Sequence, residues 1–117
     1  MSTKASVKFT NVKGQTIVNV FKHWDGNPEE LGKTIQEITS PSNPAADFGC
    51  VIAQFISAIK VGVGDTYVRL TGEWGNCDEQ YLYDVREQLD GSVVVFVNKT
   101  TFTLDEVLEM GLVSPLS

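Results

Sequence analysis

His23, Trp24 and Asp25 stand side by side and bring together more reactive chemistry than any other stretch of this chain. His23 is the only histidine, and imidazole is the side chain whose ordinary pKa lies nearest neutrality, which suits it to general acid–base work. Such work needs a carboxylate to orient the ring and a nucleophile or bound water to act on. Asp25 is too near in sequence to face His23 along a strand, so Asp84, with Tyr83 beside it, is the expected partner from another strand. Trp24 can stack a ring such as a nucleobase. A small-ligand site, for a nucleotide for example, would therefore draw on His23, Trp24, Asp25, Tyr83 and Asp84. The plainer reading is architectural: His23 braces a strand end, Trp24 packs into the core with its indole N–H satisfied, and Asp25-Gly26 turns the chain.

A second cluster lies in the loop Gly72-Glu73-Trp74-Gly75-Asn76 and the residues after it. An exposed loop tryptophan is a hot-spot candidate for a protein partner, so Glu73, Trp74, Asp78 and Glu79 form a candidate partner-binding group. Asp65, Glu73, Asp78 and Glu79 lack the fixed spacing of a calcium loop. Cys50 and Cys77 match no zinc pattern, Gly62-Val63-Gly64 is no phosphate loop, and no nucleophile turn is present. No catalytic residue, metal ligand or cofactor is expected.

The elements that must position these residues follow from local pattern. Val7 and Phe9 alternate with Ser6, Lys8 and Thr10, Lys13-Gly14 is a turn signal, and Thr16 to Phe21 is β-branched and aromatic; together they predict a hairpin. In its second strand Ile17, Phe21 and His23 share one face. Asn27, Pro28 and Glu30 read as cap, first helical residue and capping-box acid, ahead of the stripe Leu31, Ile35, Ile38 and a stop at Ser40-Pro41. Asn43 and Pro44 repeat the signal, with Asp47 in the first turn, before the wide stripe Phe48, Val51, Ile52, Phe55, Ile56, Ile59 of the main core helix, closed by Gly62 and Gly64. Thr66 to Leu70 and Gln80 to Glu87 alternate as strands. Asp90-Gly91 is a hairpin turn, and Val93 to Val97 is apolar enough for a central or well-covered strand. Thr103 to Glu106 opens a short helix closed by Gly111. The order ββααβββα predicts an α+β fold: a single domain over residues 1–117, with a mainly antiparallel sheet of about five strands and helices on one face.

The 117 residues suffice for one domain with its own core. A net charge of −6 disfavours general nucleic-acid binding, which needs a Lys/Arg surplus, and allows a basic partner or charge mimicry. No apolar run approaches the ~18 residues of a membrane span. The start Met1-Ser2-Thr3-Lys4-Ala5 lacks a signal-peptide core, so a cytoplasmic protein with reduced thiols is expected.

His23-Trp24-Asp25-Gly26-Asn27-Pro28 resembles the HWDGYP signature of a family of small bacterial and bacteriophage proteins. In that family the signature follows a strand and opens a helix, and a later strand carries a Tyr-x-Tyr segment like Tyr81-Leu82-Tyr83. The resemblance spans residues 16 to 85 and departs at Asn27, where the family usually has tyrosine; it does not extend past Gln88. It implies a phage or bacterial setting and carries no activity. The expected function is thus a non-enzymatic binding module: an acidic phage accessory protein that engages a host protein, for example by inhibiting a defence system. A small-ligand binder or hydrolase built on the corner is the alternative, and a self-assembling structural protein a further one.

Overall fold

A central strand buried on both faces organises the chain. The computed structural model describes residues 3–40 and 47–99. Five strands, β1 (Ala5–Thr10), β2 (Thr16–Lys22), β3 (Thr66–Arg69), β4 (Tyr81–Glu87) and β5 (Val93–Lys99), form one sheet in the spatial order β3-β2-β1-β4-β5. Three neighbouring pairs run antiparallel, and β1 pairs with β4 in parallel. The sheet is therefore mixed but mainly antiparallel, and the α+β architecture expected from the sequence is the one the chain adopts. The parallel pair departs from a sheet of consecutive hairpins: the segment between β3 and β4 carries the chain across the sheet.

Two helices cover one face. Pro28–Gly32 forms a single wide π-type turn that runs on into α1 (Lys33–Thr39), and α2 spans Phe48–Ile59. Ala5, Val7 and Phe9 of β1 point at the helices together with Val20, Tyr83 and Val85, and meet Leu31, Ile35, Phe48, Ile52, Phe55 and Ile59. Phe9 anchors this core, with its ring centroid 5.3 Å from that of Phe55 and 6.1 Å from that of Phe48. Each such buried side chain contributes roughly 1.5–3 kcal/mol over its exposed state.

Three local expectations are corrected. Asn27 precedes the first turn in extended conformation, but its side chain does not cap it; the amide donates to Glu29 Oε2 at 2.8 Å, and the Asn27 carbonyl accepts the N–H groups of Glu30 and Leu31. Pro28 has no N–H, and the Glu30 and Leu31 N–H groups already bond the Asn27 carbonyl, so little is left for the side chain to cap and it turns outward. Asp47, not a residue inside the first turn, caps α2: its Oδ1 accepts the Cys50 N–H at 2.8 Å. The expected cap Asn43 and Pro44 lie outside the described residues, as does the expected helix from Thr103 to Gly111. Finally, among the described residues the apolar strand β5 is an edge and not a central strand, with Val94, Phe96 and Val97 exposed. The centre belongs to β1, whose polar residues Ser6 and Thr10 are buried: Ser6 lies beside Glu79 of the β3–β4 segment, and Thr10 donates to buried Asp84 of β4. Among the described residues no helix is long and apolar enough to cross a membrane.

Candidate functional site

The sequence corner is built around Asp65, which sits just before β3 in left-handed conformation (φ 68°). Aspartate tolerates that region because its short polar side chain bonds locally. The Asp65 carbonyl accepts the His23 N–H at 2.7 Å, and its Oδ1 accepts the Trp24 N–H at 3.0 Å. Its other carboxylate oxygen pairs with the ammonium of buried Lys22. The end of β2 is thereby tied to the start of β3 by three contacts from one residue.

Gly26 fixes the corner from the other side. Its N–H donates to the Thr3 carbonyl at 2.9 Å, and its carbonyl accepts the Tyr83 hydroxyl at 2.7 Å. A Cβ on Gly26 would lie 2.5 Å from the Ala5 Cβ and 2.7 Å from the Thr3 oxygen, so only glycine fits. Tyr83 is fully buried on the helix face. Burial, then the neighbouring Tyr81 and Glu29, push its pKa far above the ordinary tyrosine value, so it stays a hydrogen-bond donor. Tyr83 thus reaches the corner as expected, but from inside the core as a strut.

The remaining expected members separate. Asp84 projects from the opposite face of β4, where it accepts from Thr10 Oγ1 at 3.0 Å and Arg86 Nε at 2.6 Å, with Lys8 Nζ at 3.9 Å. It aligns with Lys8 and, through it, with Asn19, four residues back along β2 from His23, so the two do not form a pair. Asp25, left-handed at φ 57°, is exposed and lines a polar cleft of about 420 Å³ with Asn27, Glu30, Tyr81 and Lys99; neither His23 nor Trp24 lines it.

The loop expected to offer Trp74 to solvent is a folded cover over the second face. Trp74 is half-buried: its indole N–H donates to the Tyr83 carbonyl at 3.1 Å, and Lys8 Nζ sits 3.9 Å from the ring centroid. Glu79 is buried and holds the loop, accepting the N–H groups of Gly75 at 2.8 Å and Cys77 at 2.7 Å. Burial alone would raise its pKa; hydrogen bonding overrides it and holds the carboxyl below the usual glutamate value. The Ser6 hydroxyl falls outside strict hydrogen-bond geometry yet lies close enough to favour the charged form. Glu73 is half-buried, its carbonyl accepting the Cys77 thiol at 3.6 Å. Burial and the charges of Glu79 and Glu73 push the Cys77 thiol up. Asp78 alone of the four projects freely, 3.9 Å from Lys4 Nζ.

What the fold assembles instead is a strip of rings on this second face. The His23 and Trp24 rings meet edge to face at 4.6 Å; Phe21 lies 6.2 Å from His23 and 6.4 Å from Tyr67. The Arg69 guanidinium stacks over both Tyr67 (4.9 Å) and Phe21 (5.4 Å). Phe21 is buried beneath the strip, while Trp24 (48 %) and Tyr67 (42 %) are partly exposed and Arg69 is exposed. Shared parity of Phe21 and His23, and of Tyr67 and Arg69, is readable from sequence; the Phe21–Tyr67 cross-strand pairing that joins them is not.

Comparison with protein-family models, with curated proteins and with solved structures returned no match.

Proposed function

We propose that this chain is a non-enzymatic binding module that engages a protein partner through the strip Trp24–His23–Tyr67–Arg69. The observation that carries this reading is the exposure of a tryptophan, a tyrosine and an arginine joined through His23 and Phe21 by a continuous series of ring contacts. Those residue types dominate interface hot spots, and side chains already held in place lose little further freedom on binding. The likeness of His23-Trp24-Asp25-Gly26-Asn27-Pro28 to the HWDGYP proteins supports a bacterial or phage setting. There the module would act in the host cytoplasm as an accessory protein on a host protein, inhibition of a defence protein being the concrete version.

The polar cleft beside Asp25 supports a second reading, a small-ligand or nucleotide binder. Because His23 and Trp24 do not line that cleft, the protein-binding reading is preferred. Self-association is a third reading, decided by mass in solution.

The test is capture of host proteins on the immobilised chain, comparing wild type, Trp24→Ala, Tyr67→Ala and Leu89→Ala, the last removing an exposed side chain on the β4–β5 turn. A partner lost by the first two variants and kept by the third, with all three folded, is expected. A partner indifferent to Trp24→Ala and Tyr67→Ala overturns the assignment.

A further inference from the structure

The strip ends on a sheet margin, and that margin specifies what kind of segment fits it. Among the described residues β3 is an edge strand, short and ending in the charged Arg69, but without proline, a bulge or an inward-pointing charge. The phase of its hydrogen bonding follows from one contact. The His23 N–H donates to the Asp65 carbonyl, which makes that pair a hydrogen-bonded one; alternation then gives Phe21/Tyr67 and Asn19/Arg69 the same phase and Val20/Val68 the opposite one. The Val68 N–H and carbonyl therefore point away from β2, toward the free side. Thr66 faces the same way, and its N–H turns back to the Gly64 carbonyl. Val68 and Leu70 are 68 % and 74 % exposed.

Arg69 supplies the specificity. Its guanidinium lies over the Tyr67 and Phe21 rings and makes no hydrogen bond or ion pair among the described residues. A stacked, unpaired guanidinium presents a planar fork of donors that matches a carboxylate in two-point geometry. In a chain carrying −6, an unpaired arginine at a sheet margin also attracts one acidic residue more readily than a polyanion.

We propose that the free margin of β3 is the docking line for an extended segment of the partner, added antiparallel, that reads acidic–apolar–apolar. The acidic residue lies opposite Arg69, the middle residue pairs with the backbone of Val68 and sets its side chain beside that valine, and the last residue, best aromatic, lies opposite Tyr67. The proposal rests on the protein-binding reading and names the chemistry of its partner.

The probe is a fluorescein-labelled heptapeptide with Glu-Val-Phe at its centre, titrated into the full isotope-labelled chain and followed by anisotropy and amide shifts. Three relatives accompany it: Gln for Glu, N-methyl-valine for the middle residue, and AMP as a phosphate-bearing ring. Shifts at Val68, Leu70 and the Arg69 side-chain N–H are expected with the first peptide. Roughly tenfold weaker binding is expected for the Gln and N-methyl peptides and for Arg69→Ala, with Arg69→Lys in between. Equal binding of the Gln or N-methyl peptide, shifts elsewhere on the sheet, or no binding overturns the docking line. AMP producing the same shifts assigns the arginine to a phosphate ligand and also overturns it. If the peptide fails while Trp24→Ala still abolishes partner capture, the surface reading stands and only the docking line falls; capture insensitive to Trp24→Ala removes the surface reading itself.

Discussion

Replacing Gly26 with alanine tests whether the turn before the first helix is held by close approach. The new Cβ would lie 2.5 Å from the Ala5 Cβ and 2.7 Å from the Thr3 carbonyl oxygen, whereas carbon atoms in contact sit at about 3.5–4.0 Å. Neither obstacle can rotate aside: one is the stub of a fully buried residue in the central strand, the other is backbone. The chain must move by about 1 Å, at a cost of about 1–3 kcal/mol for overpacking. Movement also weakens the Gly26 N–H bond to Thr3 and the Tyr83 hydroxyl bond to Gly26, each worth about 1 kcal/mol. A total loss of about 2–4 kcal/mol is expected, or a fall in Tm of roughly 10 °C for a domain of this size. The assay is urea unfolding followed by tryptophan fluorescence. Gly72→Ala, which meets nothing within 4 Å, is the control and should change stability by less than about 0.5 kcal/mol. Gly26→Ala with stability within about 0.5 kcal/mol of wild type would refute the close-approach reasoning.

Trp74→Ala should destabilise the fold by about 2–3 kcal/mol in the same assay, since the ring covers the sheet, while Trp74→Phe should lose only about 1 kcal/mol for the bond to the Tyr83 carbonyl. Asp65→Asn should cost about 2–4 kcal/mol in the same assay, because it strands the buried Lys22 ammonium while its amide oxygen can still accept the Trp24 N–H; Asp65→Ala, which removes that acceptor too, should cost more. Glu79 has a folded pKa below its unfolded value, so its stabilisation is complete above the ordinary glutamate pKa of about 4.3 and is lost as pH falls through the lower folded value. Unfolding free energies measured from neutral to acid pH should therefore fall less steeply in Glu79→Gln than in wild type.

Local period carried much of the fold. The alternation of Val7 and Phe9, the stripe from Phe48 to Ile59 and the alternation of Tyr81, Tyr83 and Val85 each mark an element and its buried side. Strand order did not follow from such patterns. The parallel β1–β4 pairing joins residues such as Val7 and Tyr83 that are distant in sequence, and its register depends on how the β3–β4 segment crosses the sheet. The same cause misplaced β5: Val93 to Val97 is the most apolar strand, yet Ser6 and Thr10 lie in the central one, Ser6 beside the Glu79 that holds the β3–β4 loop and Thr10 bonded to buried Asp84. At the site, His23 and Trp24 were visible as residues that turn and cap chemistry leave unexplained. Asp65 and Arg69 were not, because one acts through backbone and carboxylate bonds across strands and the other through stacking on Tyr67 and Phe21. Trp74 looked exposed in a glycine-flanked loop; the bond to the Tyr83 carbonyl that draws it down is likewise a long-range contact that no local spacing announces.

The most direct test of a binding surface on the Trp24–Arg69 strip is amide hydrogen exchange on the chain, free and bound to its captured partner. Slower exchange on binding is expected at Val68, whose N–H faces the free margin, and at residues 23–25. Protection confined to β5 or to residues 71–79, with 66–70 and 23–25 unchanged, would contradict it.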